Sequence, residues 1–204
     1  MFIDCHCHVD LYRDINKIIE KAIKKNVKII VNNGVNRETN RKTLELASKF
    51  SEIKASLGIY PLDGLKMRDK ELKEELDFIK KSREKIIAIG EIGIDLKEDQ
   101  NLEKQKEIFK KLIKLSIELR KPVIVHSRMA EKECIDILEE EGAKKVIMHC
   151  FSGGMNLVKK IIDNKWFITI PASVKHSEHF QNIIKITPIE QLLCETDSPF
   201  LHPD

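Results

Sequence analysis

Several features that would place this chain in a specialised class of protein are missing from its sequence. It has no apolar run of membrane-spanning length, no signal-like apolar leader and no low-complexity linker. Its 36 basic and 33 acidic residues nearly cancel to a net charge of +3, so no basic surface indicates binding to duplex DNA. The five cysteines follow no regular framework. We therefore expect a soluble protein of a reducing compartment, with the cytoplasm as its location and no contact with a membrane.

What the sequence does contain is an alternation of short apolar runs with longer amphipathic stretches. At 204 residues, the chain is expected to form one domain spanning residues 1–204. Apolar runs of strand length occur at 2–8, 28–33, 53–58, 86–92, 122–126, 145–149, 166–170 and 192–196. Helices are predicted at 14–25, 36–50, 69–82, 101–119, 130–140, 155–164 and 179–185. Eight strands alternating with helices predict an α/β fold, the TIM-type (β/α)8 barrel.

The end of the sequence does not supply the eighth helix of such a barrel. After the last predicted strand only residues 198–204 remain. An uncovered strand seam would leave apolar surface in water, so we expect the sequence to be truncated at its C-terminus. Residues 60–64, which contain a proline and a glycine, are predicted to form a loop after the third strand and not a domain boundary.

The first strand ends in a run of histidines and cysteines. Successive side chains of a strand point to opposite faces, so His6 and His8 face one way, with Asp4 behind them. Cys5 and Cys7 face the other way. This alternation argues against a zinc knuckle built from all four side chains, because they could not reach one ion from a single extended strand. The histidines are predicted to be ligands and the cysteines to be packing residues.

Four more residues with ligating side chains lie at or near the ends of later strands. Functional residues of βα barrels lie at the C-terminal ends of strands, so the fold would bring these side chains together with the two histidines of the first strand. Four imidazoles and two carboxylates can hold two divalent ions, and Glu91 would bridge them because a carboxylate has two oxygens to share. Such a mixed shell suits Zn, Mn, Fe or Co and tolerates Mg less comfortably. The predicted metal ligands are His6, His8, Glu91, His126, His149 and Asp197.

Other polar residues near these strands have an ordinary structural alternative. Glu195 is predicted to support a ligating imidazole from deeper in the barrel. Asp95 could form an ordinary salt bridge or could orient a metal ligand. Arg128 could form an ordinary salt bridge or could contact an anionic group of the substrate. Cys150 is expected to point away from His149, which argues against a catalytic thiol. Three further histidines are predicted to lie on the surface: His176, His179 and His202.

Five short strings carry a family resemblance. They are DCHCH (residues 4–8), GEIGID (90–95), HSR (126–128), HCFSG (149–153) and ETDSPFL (195–201). In order and spacing they resemble the successive motifs of the TatD-type metal-dependent deoxyribonucleases, within the amidohydrolase superfamily. The resemblance implies phosphodiester hydrolysis of DNA. It also implies one ion held by His6, His8, Glu91 and Asp197, and a second held by Glu91, His126 and His149.

Two departures from the family pattern stand out. The string GIYP at residues 58–61 has Tyr60 where many members have a histidine, which affects a substrate-side or loop contact and leaves the metal ligands untouched. The family also continues past Leu201 into a basic, asparagine-containing loop and a further helix, which this chain lacks.

The expected mechanism is in-line attack on phosphorus by a metal-activated water. Asp197 and Glu91 are the predicted catalytic residues. Asp197 would act as general base or proton shuttle from the open edge of the ion pair, and Glu91 would bridge the ions. A covalent route through Ser198 is disfavoured because no histidine is adjacent to it in sequence.

The expected substrate is DNA, attacked at ends or in single strands, and no obligate protein partner is indicated. Two alternatives share the same ligands. One is a barrel hydrolase of carboxylic ester or amide bonds, such as an aminoacyl-tRNA deacylase. The other is a non-enzymatic metal-binding scaffold.

Overall fold

The structure, a computed structural model, describes residues 1–201 and contains one sheet of eight parallel strands that follow each other in sequence order. Each strand pairs with the next, as the predicted TIM-type barrel requires. The strands are β1 Phe2–Cys7, β2 Val27–Gly34, β3 Ile53–Leu57, β4 Ile86–Gly93, β5 Val123–His126, β6 Val146–Met148, β7 Phe167–Pro171 and β8 Leu192–Glu195.

The barrel closes through the segment that follows β8. The backbone N–H of Asp197 donates to the carbonyl oxygen of His6 at 3.0 Å, and the N–H of His8 donates to that of Ser198 at 2.8 Å. These bonds join the C-terminal end of β1 to the chain just beyond β8. Closure therefore occurs at the mouth of the barrel, beside the predicted ligands.

In the described part of the chain, eight α-helices surround the strands: α1 Ile15–Lys24, α2 Arg37–Lys49, α3 Pro61–Lys66, α4 Asp69–Lys81, α5 Leu102–Leu119, α6 Glu131–Glu140, α7 Met155–Asp163 and α8 Glu178–Ile186. Four begin at a side chain that accepts from exposed amides of the first turn, namely Asp14, Asn36, Asn101 and Ser177. Within residues 1–201 no helix follows β8, and Phe2 of β1 and Cys194 of β8 are exposed.

The short helix α3 corrects a prediction. Residues 60–64 were expected to form a loop, but Pro61 occupies the first helical position and its fixed φ favours a helical turn. Six residues are too few for the apolar periodicity that reveals longer helices. The other seven helices lie where the sequence predicts them.

The main hydrophobic core lies between the central strands and the helices that cover them. Ile89 and Ile92 of β4 pack with Phe109 and Leu112 of α5, and all four side chains are fully buried. None of the helices in the described part of the chain is long and apolar enough to cross a membrane.

Close approach between neighbouring strands explains the second glycine of the GEIGID string. Gly93 has a φ of +145°, and a Cβ built on it would lie 1.9 Å from the carbonyl oxygen of His126 on β5. A larger residue would strain the backbone and push β5 away. Gly93 therefore helps to place His126 beside β4.

Candidate metal centre

The first group of possible ligand atoms lies at the mouth of the barrel, where β1, β4 and the segment after β8 meet. His6 Nε2 lies 3.6 Å from Glu91 Oε2 and 3.4 Å from Asp197 Oδ1. His8 Nε2 lies 3.4 Å and 3.6 Å from the same two oxygens. Around a tetrahedral ion with bonds of about 2.1 Å, ligand atoms are about 3.4 Å apart. The spacing of this group, which we call cluster one, fits a divalent ion.

A second group, cluster two, lies on the other side of Glu91. His126 Nδ1 is 2.9 Å from Glu91 Oε1, and His149 Nε2 is 3.3 Å from the same oxygen. The two ring nitrogens are 3.3 Å apart. Glu91 thus presents Oε2 to cluster one and Oε1 to cluster two. The six residues predicted as ligands are brought together, and the one predicted to bridge lies between the two groups.

The environment of His6 tests whether these residues suit a metal ion. Its ring is fully buried and neither ring nitrogen has a hydrogen-bond partner. A buried polar atom left without a partner costs about 1–3 kcal/mol. A cation in cluster one would satisfy Nε2, so the donor set fits the divalent ion that the sequence predicts.

The imidazoles of His8 and His149 are oriented by acceptors on their far nitrogens. His8 Nδ1 lies 2.9 Å from the carbonyl oxygen of Asn33, and His149 Nδ1 lies 3.3 Å from Glu195 Oε2. Such contacts fix the ring and leave the other nitrogen free to ligate. Glu195 was predicted to support an imidazole in this way. The carbonyl of Asn33 was not, because a backbone acceptor has no signature in sequence.

His6, His149 and Glu195 form a further group of possible ligand atoms. Glu195 faces Nδ1 of His149, whose other ring nitrogen, Nε2, faces Glu91. We interpret Glu195 as a hydrogen-bond acceptor and not as a ligand.

Burial and hydrogen bonding act in opposite directions on the charged groups of the site. Burial raises the pKa of Glu91, but hydrogen bonds from His126, His149 and His8 outweigh it and hold that pKa well below the ordinary value. Burial lowers the pKa of His149, yet Glu195 and then Glu91 raise it well above the ordinary value. A cation entering the site would therefore displace protons from imidazoles, so its affinity should fall as the pH falls.

A cavity of about 740 Å³ opens in front of the two clusters. Glu91, His149 and Asp197 form part of its floor, while Phe200 and Leu11 contribute apolar surface. Among the described residues that line it, Arg128 is the one lysine or arginine. Its guanidinium is about half exposed and lies 3.6 Å from Glu98 Oε1. The cavity thus combines a floor of possible metal ligands with a positive group on its wall.

Comparison with known proteins identifies the family. The family described as TatD related DNase matches residues 3–204. This chain belongs to that family. An uncharacterized metal-dependent hydrolase of Methanocaldococcus jannaschii is 39% identical over 78% of this chain and 62% of that protein. The human deoxyribonuclease TATDN3 is 32% identical over 99% of this chain and 79% of that protein.

A solved structure supports the same assignment. The TatD homologue YjjV from Escherichia coli K12 superposes with a TM-score of 0.89 at 27% identity, covering all of this chain and 81% of that one. The predicted fold and family are therefore confirmed. The chain is a metal-dependent hydrolase of the TatD family.

Two details of the strand ends in this TatD-family barrel differ from prediction. Glu195 and Asp197 were expected to share one face of a strand, but β8 ends at Glu195 and Asp197 has a φ of +51°. Cys150 was expected to point away from the site, but β6 ends at Met148 and Cys150 lines the cavity with a φ of +42°. Burial raises the pKa of Cys150 to about 12, so its thiol is neutral.

Cys7, His176 and His179 lie outside the groups of possible metal ligands. None of the groups of possible ligands within residues 1–201 includes a cysteine, and Cys7 is buried with its sulfur 3.7 Å from the carbonyl oxygen of Val31. His176 is exposed as predicted. His179 is only partly exposed, and its Nε2 lies 3.1 Å from the carbonyl oxygen of Phe151. His202 lies outside the described residues.

Two residues near the clusters have contacts that the sequence did not predict. Asp4, placed behind the histidines, accepts from the Thr196 N–H at 3.1 Å and from its hydroxyl at 2.6 Å, which ties β1 to the segment after β8. The hydroxyl of Tyr60 donates to Asp95 Oδ2 at 2.7 Å. The tyrosine that replaces the family's usual histidine at position 60 thus makes a hydrogen bond beside the two clusters.

Proposed function

We propose that this chain hydrolyses phosphodiester bonds of DNA with the help of two divalent ions. The observation that carries the proposal is the position of Glu91, whose two carboxylate oxygens each face a separate group of imidazoles. Two ions that share a carboxylate suit an in-line displacement at phosphorus. The description of the family and the name of the human relative both include deoxyribonuclease activity.

The proposed ligands are divided between the clusters. His6, His8 and Asp197 would hold one ion together with Glu91 Oε2, and His126 and His149 would hold the other together with Glu91 Oε1. Bound ions would supply water that ionises near neutral pH and would offset charge on the phosphoryl oxygens. The mixed nitrogen and oxygen shell favours Zn or Mn over Mg.

Asp197 is the carboxylate best placed to move a proton. Its side chain is 16% exposed and lines the cavity, whereas the Glu91 side chain is 5% exposed with both oxygens engaged. Asp197 can therefore accept a proton from the attacking water and pass it to the leaving oxygen. Arg128, on the cavity wall, would contact a nonreacting phosphate oxygen.

The shape of the site favours a flexible substrate. With a net charge of +3, the chain offers little general attraction for phosphates. A cavity at a barrel mouth admits a single strand or a frayed end more readily than a rigid duplex. We therefore propose DNA ends and single strands as the preferred substrates.

A substrate panel tests the reaction class. Metal-loaded protein would be assayed on a short single-stranded DNA, a closed circular duplex, an aminoacyl-tRNA and a small carboxylic ester, with the Glu91→Ala variant as the blank. We expect the single strand to be cleaved well above the blank and the circular duplex much more slowly. Faster hydrolysis of the tRNA ester or the small ester would favour the deacylase alternative. No turnover above the blank would favour the scaffold, and equal rates on both DNAs would contradict the preference for ends.

The number of ions is a separate prediction. We expect two divalent ions per chain at saturating metal, because six protein ligands exceed what one tetrahedral ion needs. Elemental analysis of the wild type, His8→Ala and His126→Ala would measure this, and each variant should lose one ion. His176→Ala, which changes an exposed histidine away from the site, should keep both. One ion per wild-type chain would contradict the prediction.

A further inference from the structure

His126 makes a contact on its far side that the two clusters do not explain. Its Nε2 lies 3.0 Å from Asp95 Oδ2, and the same oxygen accepts the hydroxyl of Tyr60 at 2.7 Å. Asp95 is completely buried although it follows the end of β4. Neither Asp95 nor Tyr60 belongs to the proposed ligand set. The contact therefore links two further residues to cluster two through one imidazole.

The carboxylate of Asp95 is held in place by the main chain. Its other oxygen, Oδ1, accepts the backbone N–H of Lys97 at 2.9 Å and that of Glu98 at 3.3 Å. The buried Gln105 of α5 contacts the Asp95 backbone twice, accepting its N–H at 2.8 Å and donating to its carbonyl at 3.1 Å. These bonds fix which carboxylate oxygen faces the main chain and which faces His126.

Tyr60 is held as firmly on the opposite side of Oδ2. Its backbone N–H donates to the carbonyl oxygen of Val35 at 2.8 Å, and its ring lies edge-on to that of His126 with centroids 5.0 Å apart. Its hydroxyl hydrogen fills a lone pair of Oδ2 that would otherwise be unsatisfied. This contact opposes rotation of the Asp95 carboxylate away from His126.

Both ring nitrogens of His126 face a carboxylate oxygen, Nε2 that of Asp95 at 3.0 Å and Nδ1 that of Glu91 at 2.9 Å. A neutral imidazole has one N–H, so only one of the two nitrogens can donate. The carboxylate of Asp95 is held in place by the main chain and by Tyr60, which favours the hydrogen on Nε2. An ion in cluster two would need the lone pair of Nδ1, the atom that faces Glu91 and His149.

We propose that Asp95 and Tyr60 are positioning residues that select the tautomer of His126 and so set the affinity of cluster two for its ion. The inference rests on the proposed function in one respect, since it requires His126 to be a ligand. Beyond that function, it states which residues orient the ring of His126. It also gives a role to Tyr60, which stands where many members of the family have a histidine.

The Asp95→Asn variant tests the inference because its amide can sit in only one orientation. The N–H groups of Lys97 and Glu98 require an acceptor at the Oδ1 position, so the NH2 group must occupy the Oδ2 position against His126. A donor there favours hydrogen on Nδ1, the atom that should ligate. Asp95→Ala instead leaves room for a water, which can still accept from Nε2.

The expected order of the variants separates tautomer control from packing. Loss of such a supporting contact typically weakens metal binding about 10- to 100-fold. We expect Asp95→Asn to show the larger loss for the second ion, Asp95→Ala a smaller one, and Tyr60→Phe the smallest. A packing role predicts the reverse order for the two Asp95 variants, because asparagine keeps the size of the side chain. Asp63→Asn, a matched change in the same cavity, should leave both ions bound.

Two measurements decide the outcome. Metal titration gives the affinity for the second ion, and ¹⁵N spectra of the metal-free protein at alkaline pH, where the imidazole is neutral, show which nitrogen of His126 carries hydrogen. The wild type should show Nε2–H and Asp95→Asn should show Nδ1–H. An Nδ1–H wild type, or an asparagine variant that binds the second ion more tightly than the alanine variant, would overturn the inference. A different result would show that the proposed ligand set is wrong: the His126→Ala variant would then keep both ions.

Discussion

Replacing Glu91 by glutamine is expected to release at least one of the two ions and to abolish turnover. Glu91 Oε1 faces His126 and His149, while Oε2 faces His6 and His8. Glutamine has nearly the same shape, but its amide nitrogen cannot ligate a cation. The substitution also removes the negative charge between two positive ions, whose mutual repulsion is poorly screened in a buried site. Both effects act on metal binding before any step of the reaction.

Metal content measured beside turnover would test this prediction. The wild type should retain two ions per chain after exhaustive dialysis, and Glu91→Gln should retain at most one. Glu103→Gln, which makes the same change on a side chain that is 85% exposed on α5, serves as the control and should behave as the wild type. Retention of both ions by Glu91→Gln would show that Glu91 is not the bridge.

Replacing Asp197 by asparagine should have a different effect, a large loss of rate with the ions retained. Asp197 contributes Oδ1 to cluster one, and the carbonyl oxygen of asparagine can occupy the same position. Asparagine cannot take up a proton, so the general base is lost. Removal of such a base typically lowers the rate about 10²- to 10⁴-fold. The expected result is therefore a chain with normal metal content and a strongly reduced kcat.

The same two assays distinguish the roles of the two carboxylates. Asp197→Asn with undiminished activity would exclude it as the base, and loss of an ion from this variant would make it chiefly a ligand. A fall in kcat with little change in KM is expected, because the proton transfer occurs in the transition state. Together, Glu91→Gln and Asp197→Asn separate holding the ions from moving the proton.

The barrel itself was predictable because its strands are buried on both faces. Such strands read as short continuous apolar runs, and β2 at Val27–Gly34 and β4 at Ile86–Gly93 each lie within one residue of their predicted ends. The helix α3 was not predictable, since its six residues begin at a proline and include a glycine. Local sequence at that point resembles a turn.

The candidate site was partly predictable for a related reason. His126 ends β5, and His6 and Glu91 lie within two residues of the ends of β1 and β4. In this fold strand ends converge. Long-range contacts outside the predicted ligand set and its support by Glu195 were beyond prediction, because neither a local pattern nor the barrel rule encodes them. Tyr60 meets Asp95 across 35 positions, and this contact depends on the path of the chain after β3.

The closure of the barrel beside cluster one bears on when this chain becomes active during folding. His6 and His8 belong to the first strand and its end, whereas Asp197 follows the last strand, and backbone bonds join these two segments directly. No partly assembled barrel can present this set of ligands, since its members come from opposite ends of the chain. An ion bound there would link those ends and stabilise the native state relative to every open intermediate. Catalytic competence would then arise only with the final step of assembly, and a partly folded chain would lack the complete set of ligands.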